Sequence, residues 1–379
     1  MSKPRNIFEE VSENTASTVQ PGAIDRAARG ARRGIRAWLM LIFLMVALMI
    51  VIGGLTRLTE SGLSITEWRP VTGAIPPMNA EALNAEFLKY QATPQYDALN
   101  RGMELSEFQF IYWWEWGHRQ LGRTVGLVWA LGFVGFFVTK NIPTGWTRRL
   151  LLLGVLGGAQ GAIGWWMVAS GLEDGMVSVA SYRLAVHLGL AFVILGFLGW
   201  YILLLGRREA DLLKARRERE AKLFSMSTGL LHFSFVQIIL GALVAGIDAG
   251  RTFTDWPLMA GSFLPEGMFE LSPLWTNFFE NPGLVQFIHR MAAYLLLIFA
   301  FVVWRRSRQS GKFITRRAFD FVLGMMVIQA ILGILTVWNA APLTIAIQHQ
   351  IGAILLWVLI LNARFNAQYP REQMIKRGA

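Results

Sequence analysis

The sequence predicts an all-α, polytopic membrane protein of eight spans, and three observations carry that prediction. Apolar stretches of about 20 residues, the length at which a helix crosses a bilayer, recur along the chain. Only 16% of the residues are charged against 54% hydrophobic, with a mean hydropathy of +0.41, a balance foreign to a water-soluble domain of this size. Finally, 27 of the 36 lysines and arginines fall before the first span, after the second, fourth and sixth, or after the last. That alternation is the one cytoplasmic loops impose.

Residues 1–36 read as a polar cytoplasmic tail without the apolar core and small-residue cleavage site of a secretory signal. The spans then fall at 37–56, 113–138, 150–172, 184–206, 223–247 and 282–304, followed by an uncharged stretch at 321–363 that is too long for one crossing. Asn339-Ala340-Ala341-Pro342 supplies turn chemistry that divides it into two. The expected organisation is therefore a four-span half at 37–206, a basic cytoplasmic connector at 207–222, a second four-span half at 223–363 and a cytoplasmic tail at 364–379. Both termini lie in the cytoplasm of this scheme, and the odd-numbered loops face a bacterial periplasm or an equivalent space. The net charge of +11 is then explained by the cytoplasmic loops, without nucleic acid. Two long loops, 58–112 and 248–281, face the other side; within the first, 81–91 reads either as a short helix over the N-terminal pocket or as a solvated loop.

The long loops disclose an internal repeat. Ser64-Ile65-Thr66-Glu67-Trp68 returns as Thr252-Phe253-Thr254-Asp255-Trp256 at an offset of 188, which also carries Gly53 to Gly241, Glu60 to Asp248 and Pro77 to Pro265. Further on, His118-Arg119 answers to His289-Arg290, Gln160 and Gly164 to Gln329 and Gly333, and His187 to His349. Four spans per half is an even number, so the halves share one orientation and are expected to be related by a pseudo-two-fold axis along the membrane normal.

Chemistry is confined to few residues. Cysteine is absent, which excludes disulfides, thiolate metal sites, iron–sulfur ligation and a cysteine nucleophile. Of the five histidines, His118, His187, His289 and His349 each fall in the first turns of a span running inward, so all four sit at similar depth near the outer face. His232 falls near the inner face and reads as a helix-to-helix hydrogen bond. Paired imidazoles from two helices suit the axial positions of haem better than a compact zinc or copper cluster. Small residues one turn on (Gly122, Ala191, Ala292, Ala293, Gly352 and Ala353) leave room for a flat macrocycle or, equally, for close helix packing. Arg119, Arg123, Arg183 and Arg290 lie at the same boundary, placed either to neutralise propionates or to snorkel to the interface. The halves differ at one telling place: Glu115 precedes His118 by three residues, where Gln286 precedes His289. A carboxylate beside one site alone suggests proton-coupled chemistry there and a held cofactor in the other half; helix-terminus electrostatics is the competing account of Glu115.

The run Glu115-Trp116-Gly117-His118-Arg119-Gln120-Leu121-Gly122-Arg123, with Gly53-Gly54-Leu55-Thr56-Arg57-Leu58-Thr59-Glu60-Ser61-Gly62-Leu63-Ser64, Thr66-Glu67-Trp68-Arg69-Pro70 and Gly73-Ala74-Ile75-Pro76-Pro77, resembles the haem A synthase family of alphaproteobacteria and mitochondria. The resemblance extends from the first span to the last. It implies an eight-span, two-half bundle that converts haem O to haem A by two successive oxidations of the C8 methyl group, the dihydroxymethyl product losing water to give formyl. It further implies that His289 and His349 are the axial ligands of a haem b cofactor, that His118 and His187 hold the substrate haem, and that Glu115 is the catalytic acidic residue beside it. Haem O synthase and an electron donor are the partners implied, and the sequence leaves a homo-oligomer open. Other branches of the family carry a cysteine pair in outer loops; this chain has none, so thiol-based electron delivery cannot operate in it. Two other classes stay open on the residues themselves: a bis-haem electron-transfer protein linked to quinone, and a haem transporter. The electron carrier has no use for the Glu115 asymmetry, and a transporter would bind haem reversibly and make no new product.

Overall fold

The computed structural model describes residues 23–371 except Asp174, with side chains from Gly30 onward. The outer parts of both expected tails, 1–22 and 372–379, lie outside the described residues. Twelve helices are found there: α1 (Ala23–Leu58), α2 (Ala80–Gln91), α3 (Pro94–Leu99), α4 (Leu105–Val138), α5 (Thr147–Ser170), α6 (Ser181–Leu205), α7 (Glu209–Arg217), α8 (Ala221–Gly246), α9 (Asn277–Glu280), α10 (Pro282–Ser307), α11 (Phe313–Trp338) and α12 (Leu343–Gln368). Among the described residues eight of them are long and apolar enough to cross a membrane, the first from Gly30. Large apolar side chains such as Leu127, Leu131 and Val134 on α4, or Leu295 and Ile298 on α10, point outward. Lipid is the solvent that such a surface requires.

The spans pack as two groups of four. In the first, α1, α4, α5 and α6 form a ring of neighbours, and in the second α8, α10, α11 and α12 do. α4 and α6 stand opposite one another across the first ring, as α10 and α12 do across the second. α4 meets α5 more lightly than any other neighbouring pair within the rings. Their firm contact is Trp129, which donates to the Leu150 carbonyl at 3.1 Å and packs where Gly154 has no side chain. Between the groups, α6 packs on α8 and α12, and Trp357 of α12 joins the cluster of Phe192, Leu195 and Leu198. Two polar ties reinforce that seam. Arg57 at the end of α1 pairs with Asp248 after α8 at 2.6 Å, and Gln350 of α12 donates to the Ile50 carbonyl of α1 at 2.5 Å, against Gly54.

The turn between α11 and α12 falls at Asn339–Pro342 as expected, with Ala340 and Ala341 in the left-handed region at φ 56° and 53°. Several helix ends differ from the hydropathy reading. α1 begins in the polar segment before the span and α12 continues past it to Gln368; Arg32 anchors the former by donating to the carbonyls of Leu204 and Arg207 at 3.2 and 2.9 Å. The connector contains α7, whose acidic first turn and basic last turn suit the helix dipole.

A further difference is α4, which starts eight residues earlier, at Leu105 instead of Trp113. Its start is fixed by the Glu104 N–H donating to the Glu107 carboxylate at 2.9 Å. The added turns belong to a small core outside the bundle. Leu83, Phe87 and Tyr90 of α2 close on Phe108, Ile111 and Tyr112 of α4, with Phe108 stacked on Phe87 and Tyr90 at 4.9 and 5.5 Å between ring centres. The segment read as helix or loop at 81–91 is thus a helix, capped by the Asn79 side chain accepting from the Ala82 N–H at 2.8 Å. Removing the fully buried Phe108 side chain (Phe108→Ala) is expected to cost this core about 3–5 kcal/mol. Limited proteolysis should then cut residues 80–100 while the spans stay intact.

In the second long loop the N–H groups of Gly261 and Ala260 donate to Asp255 at 3.0 and 2.9 Å and hold its carboxyl below the usual carboxylate range. A depressed folded value favours the charged form, so its stabilisation is present above the ordinary range and fades as pH falls through the lowered one. Amide exchange at Ala260 and Gly261 is therefore expected to quicken on acidification below about pH 3.9.

Candidate functional site

Each of α4, α6, α10 and α12 carries one of the four expected histidines, and each histidine faces a glycine on the preceding span. A Cβ added to Gly53 of α1 would lie 3.2 Å from His118 Nε2, and one on Gly164 of α5 would lie 2.8 Å from His187 Cε1. The distances from Gly241 of α8 to His289 Cε1 and from Gly333 of α11 to His349 Cε1 are 3.1 and 3.2 Å. A side chain at Gly164 would press the His187 ring out of place, and at the other three a Cβ would sit tight against the imidazole. His118 and His187 stand on the opposed helices α4 and α6 of the first ring, and His289 and His349 on α10 and α12 of the second. All four stand toward the end of the bundle that bears the long loops.

A glutamine one turn before the glycine accompanies three of these contacts. Gln160, Gln237 and Gln329 donate to the main-chain carbonyls of His187, His289 and His349 at 3.0, 3.0 and 2.7 Å. Sequence comparison of the two halves found Gln160 and Gln329 but missed Gln237, because its counterpart at the offset of 188 is Met49. The spacing Gln-x-x-x-Gly, searched for by itself, would have found it.

Glu115 is 2% exposed and sits in the third turn of α4, well inside the helix, so the helix-terminus account of it does not hold. Its Oε1 accepts from Arg119 Nη2 and Nε at 2.5 and 3.0 Å; its Oε2 accepts from the Ser64 hydroxyl at 2.7 Å and the Ile65 N–H at 2.8 Å. Arg119 continues to the carbonyls of Ile65 and Glu67 at 2.7 and 3.1 Å. Carboxylate and guanidinium together clamp the start of the long loop onto α4. At the matching place Gln286 accepts from Arg290 at 2.7 Å, while its amide nitrogen donates to the carbonyls of Ala249 and Phe253 at 2.7 and 3.2 Å. The two clamps share a plan, and only the first contains a negative charge.

The remaining arginines bind main-chain carbonyls as well. Arg123 donates to the carbonyls of Pro70 and Arg69, both at 2.9 Å, and Arg290 to Leu258 and Phe253, both at 3.0 Å. Arg183 donates to the Trp166 carbonyl at 2.8 Å, lies over that indole, and reaches Glu173 only at 3.6 Å. Neutral carbonyls satisfy hydrogen bonds and leave charge uncancelled, so Arg123 and Arg290 remain formal cations at this end, whereas Arg119 is neutralised by Glu115. His232 stands apart, its Nδ1 2.8 Å from the Thr228 carbonyl one turn back on its own helix, a local bond and not the interhelical one expected.

Fold and site together define a polytopic helical membrane protein built around two pairs of imidazoles, one of them beside a buried ion pair. Residues 36–361 match the COX15-CtaA family, described as cytochrome oxidase assembly protein, and the chain belongs to that family. Among its relatives, proteins named heme A synthase from Ruegeria sp. (strain TM1040) and Dinoroseobacter shibae are each 65% identical, over 98% and 100% of this chain and 99% and 100% of their own. The heme A synthase of Paracoccus denitrificans is 60% identical over 98% of both chains.

Proposed function

We propose that the protein is a haem A synthase, oxidising the C8 methyl group of haem O to formyl through two successive oxidations and loss of water, for the assembly of cytochrome oxidase. The observation that carries this reading is the pair of matching clamps, Glu115–Arg119 and Gln286–Arg290, each beside one histidine pair and differing by one buried carboxylate. A permanently bound redox group needs no such difference; a site that removes hydrogen from carbon does.

The residues fit an iron porphyrin. Among the described residues His349 Nδ1 is buried with no hydrogen-bond partner, as are the amide oxygens of Gln160, Gln237 and Gln329, so the protein leaves polar capacity unused at these histidines. Residues 37–206 and 223–363 are tandem halves in this reading, joined by the connector at 207–222, and the four like His–Gly contacts support the pseudo-two-fold relation. His289 and His349 would hold haem b, which when bound would supply one-electron transfer. His118 and His187 hold the substrate haem. Glu115 manages the proton released at C8 or stabilises positive charge on that carbon, and Arg119 fixes its position. Arg123, Arg183 and Arg290 bring positive charge to the propionates. The long loops face the periplasm and both termini the cytoplasm of the inner membrane, with haem O arriving from haem O synthase within the bilayer and electrons from a separate donor.

Extraction and chromatography of the haems from the protein, produced in cells that make haem O, tests the reading. Hydroxymethyl or formyl haem supports it; haem b alone, with haem O supplied, rejects it. Gly164→Ala provides a local check, because its Cβ would fall 2.8 Å from the His187 ring. The displaced imidazole is expected to weaken haem binding in the first half about tenfold in a titration, with the second half unaffected.

A further inference from the structure

We propose that Met49 is the specificity-determining residue that makes the His118 position exchangeable, and that Gln160, Gln237 and Gln329 are positioning residues locking the other three imidazoles. The proposal rests on the reading of these pairs as haem sites and assigns their difference in lifetime to single side chains.

Three glutamine amides stand in one arrangement. Each donates to its histidine's main-chain carbonyl, and the amide nitrogens of Gln160 and Gln237 lie 3.3 and 3.0 Å from Nδ1 of His187 and His289. The oxygen of every one of the three amides is buried with no partner, and His349 Nδ1 is likewise unpartnered. The amide nitrogen of each glutamine is held on the main-chain carbonyl of its histidine, and this fixes the helix turn that carries the imidazole.

At the fourth position Met49 occupies the turn before Gly53, with its Cε 3.6 Å from where a Gly122 Cβ would be, one turn beyond His118. A thioether cannot donate to the carbonyl and accepts only weakly. The His118 ring shows the consequence. The glycines facing His187, His289 and His349 meet Cε1 first, whereas Gly53 meets Nε2 of His118 at 3.2 Å. This imidazole is turned relative to the others and must rotate to offer Nε2 to a ligand. Substrate that enters and product that leaves need one bond that breaks readily, and a site with one locked and one unlocked imidazole provides it.

The experiment loads the full-length protein in detergent with haem b at both sites and follows transfer to excess apomyoglobin by absorbance. The wild type is expected to lose haem in a fast phase, from the His118 site, and a slow one. Met49→Gln should slow the fast phase about tenfold, and Gln237→Met should quicken the slow phase by a similar factor. Met49→Leu, which keeps the volume without an amide, should stay within about twofold of wild type, the scale of ordinary context effects. Equal rates for Met49→Gln and wild type, equal slowing by Met49→Leu, or a single wild-type phase would overturn the proposal. Failure of the underlying reading looks different: haem content would then be unchanged in both His118→Ala and His289→Ala.

Discussion

Glu115→Gln is expected to stop haem A formation while haem b remains bound. The substitution keeps shape and removes charge, and the surroundings are built for the charge. Both oxygens of Glu115 accept, one from Arg119 and the other from the Ser64 hydroxyl and the Ile65 N–H. A glutamine there must turn its NH2 toward Arg119 or toward the Ile65 N–H, donor against donor in either case. At the second clamp the amide of Gln286 is welcome because its nitrogen meets carbonyls, including that of Phe253, the counterpart of Ile65. The mismatch costs about 1–3 kcal/mol in the clamp, which the bundle tolerates. If Glu115 handles the proton as proposed, its loss lowers product by at least about a hundredfold. Haem chromatography and the haem b absorption spectrum on the same sample check both halves of the statement. Wild-type yield of haem A from this variant would remove Glu115 from the chemistry.

Replacing His289 or His349 with alanine is expected to have an effect as large but of a different kind. Each ring packs against its glycine and each histidine's main-chain carbonyl is held by its glutamine, so truncation leaves a hole at the proposed iron ligand and no side chain that can substitute. The low-spin haem b signal should fall to near zero and haem A formation with it, while detergent-solubilised protein keeps its size-exclusion profile. His118→Ala should instead leave that signal in place and abolish only the product. Full low-spin haem b in both His289→Ala and His349→Ala would show that the second pair is not its site.

Much of this architecture was legible in the chain. Hydropathy gave eight spans because lipid permits little else, and Asn339–Pro342 marked a turn through residue types that tolerate it. The four histidines stood out because buried imidazoles are rare in spans. What stayed hidden depends on tertiary partners. The start of α4 at Leu105 is masked by Glu104, Glu107 and Gln109, and is secured by α2, which no local pattern on α4 announces. Gln237 was missed because the repeat is broken at Met49, the place where the first half departs from the second. The arginines could be placed at the boundary by position, but that their donors already hold loop carbonyls follows only from coordinates.

The seam between the two groups of spans bears on how a large planar substrate could reach its pocket. Arg57 with Asp248 at one level and Gln350 with Ile50 deeper down rivet α1 to the opposite group, and Trp357 wedges α12 against α6. A clamshell motion of one group against the other would have to break all three. The lightest contact between neighbouring spans lies inside the first group, where α4 meets α5 and Trp129 bonds to the Leu150 carbonyl, so the spans part there at the least cost.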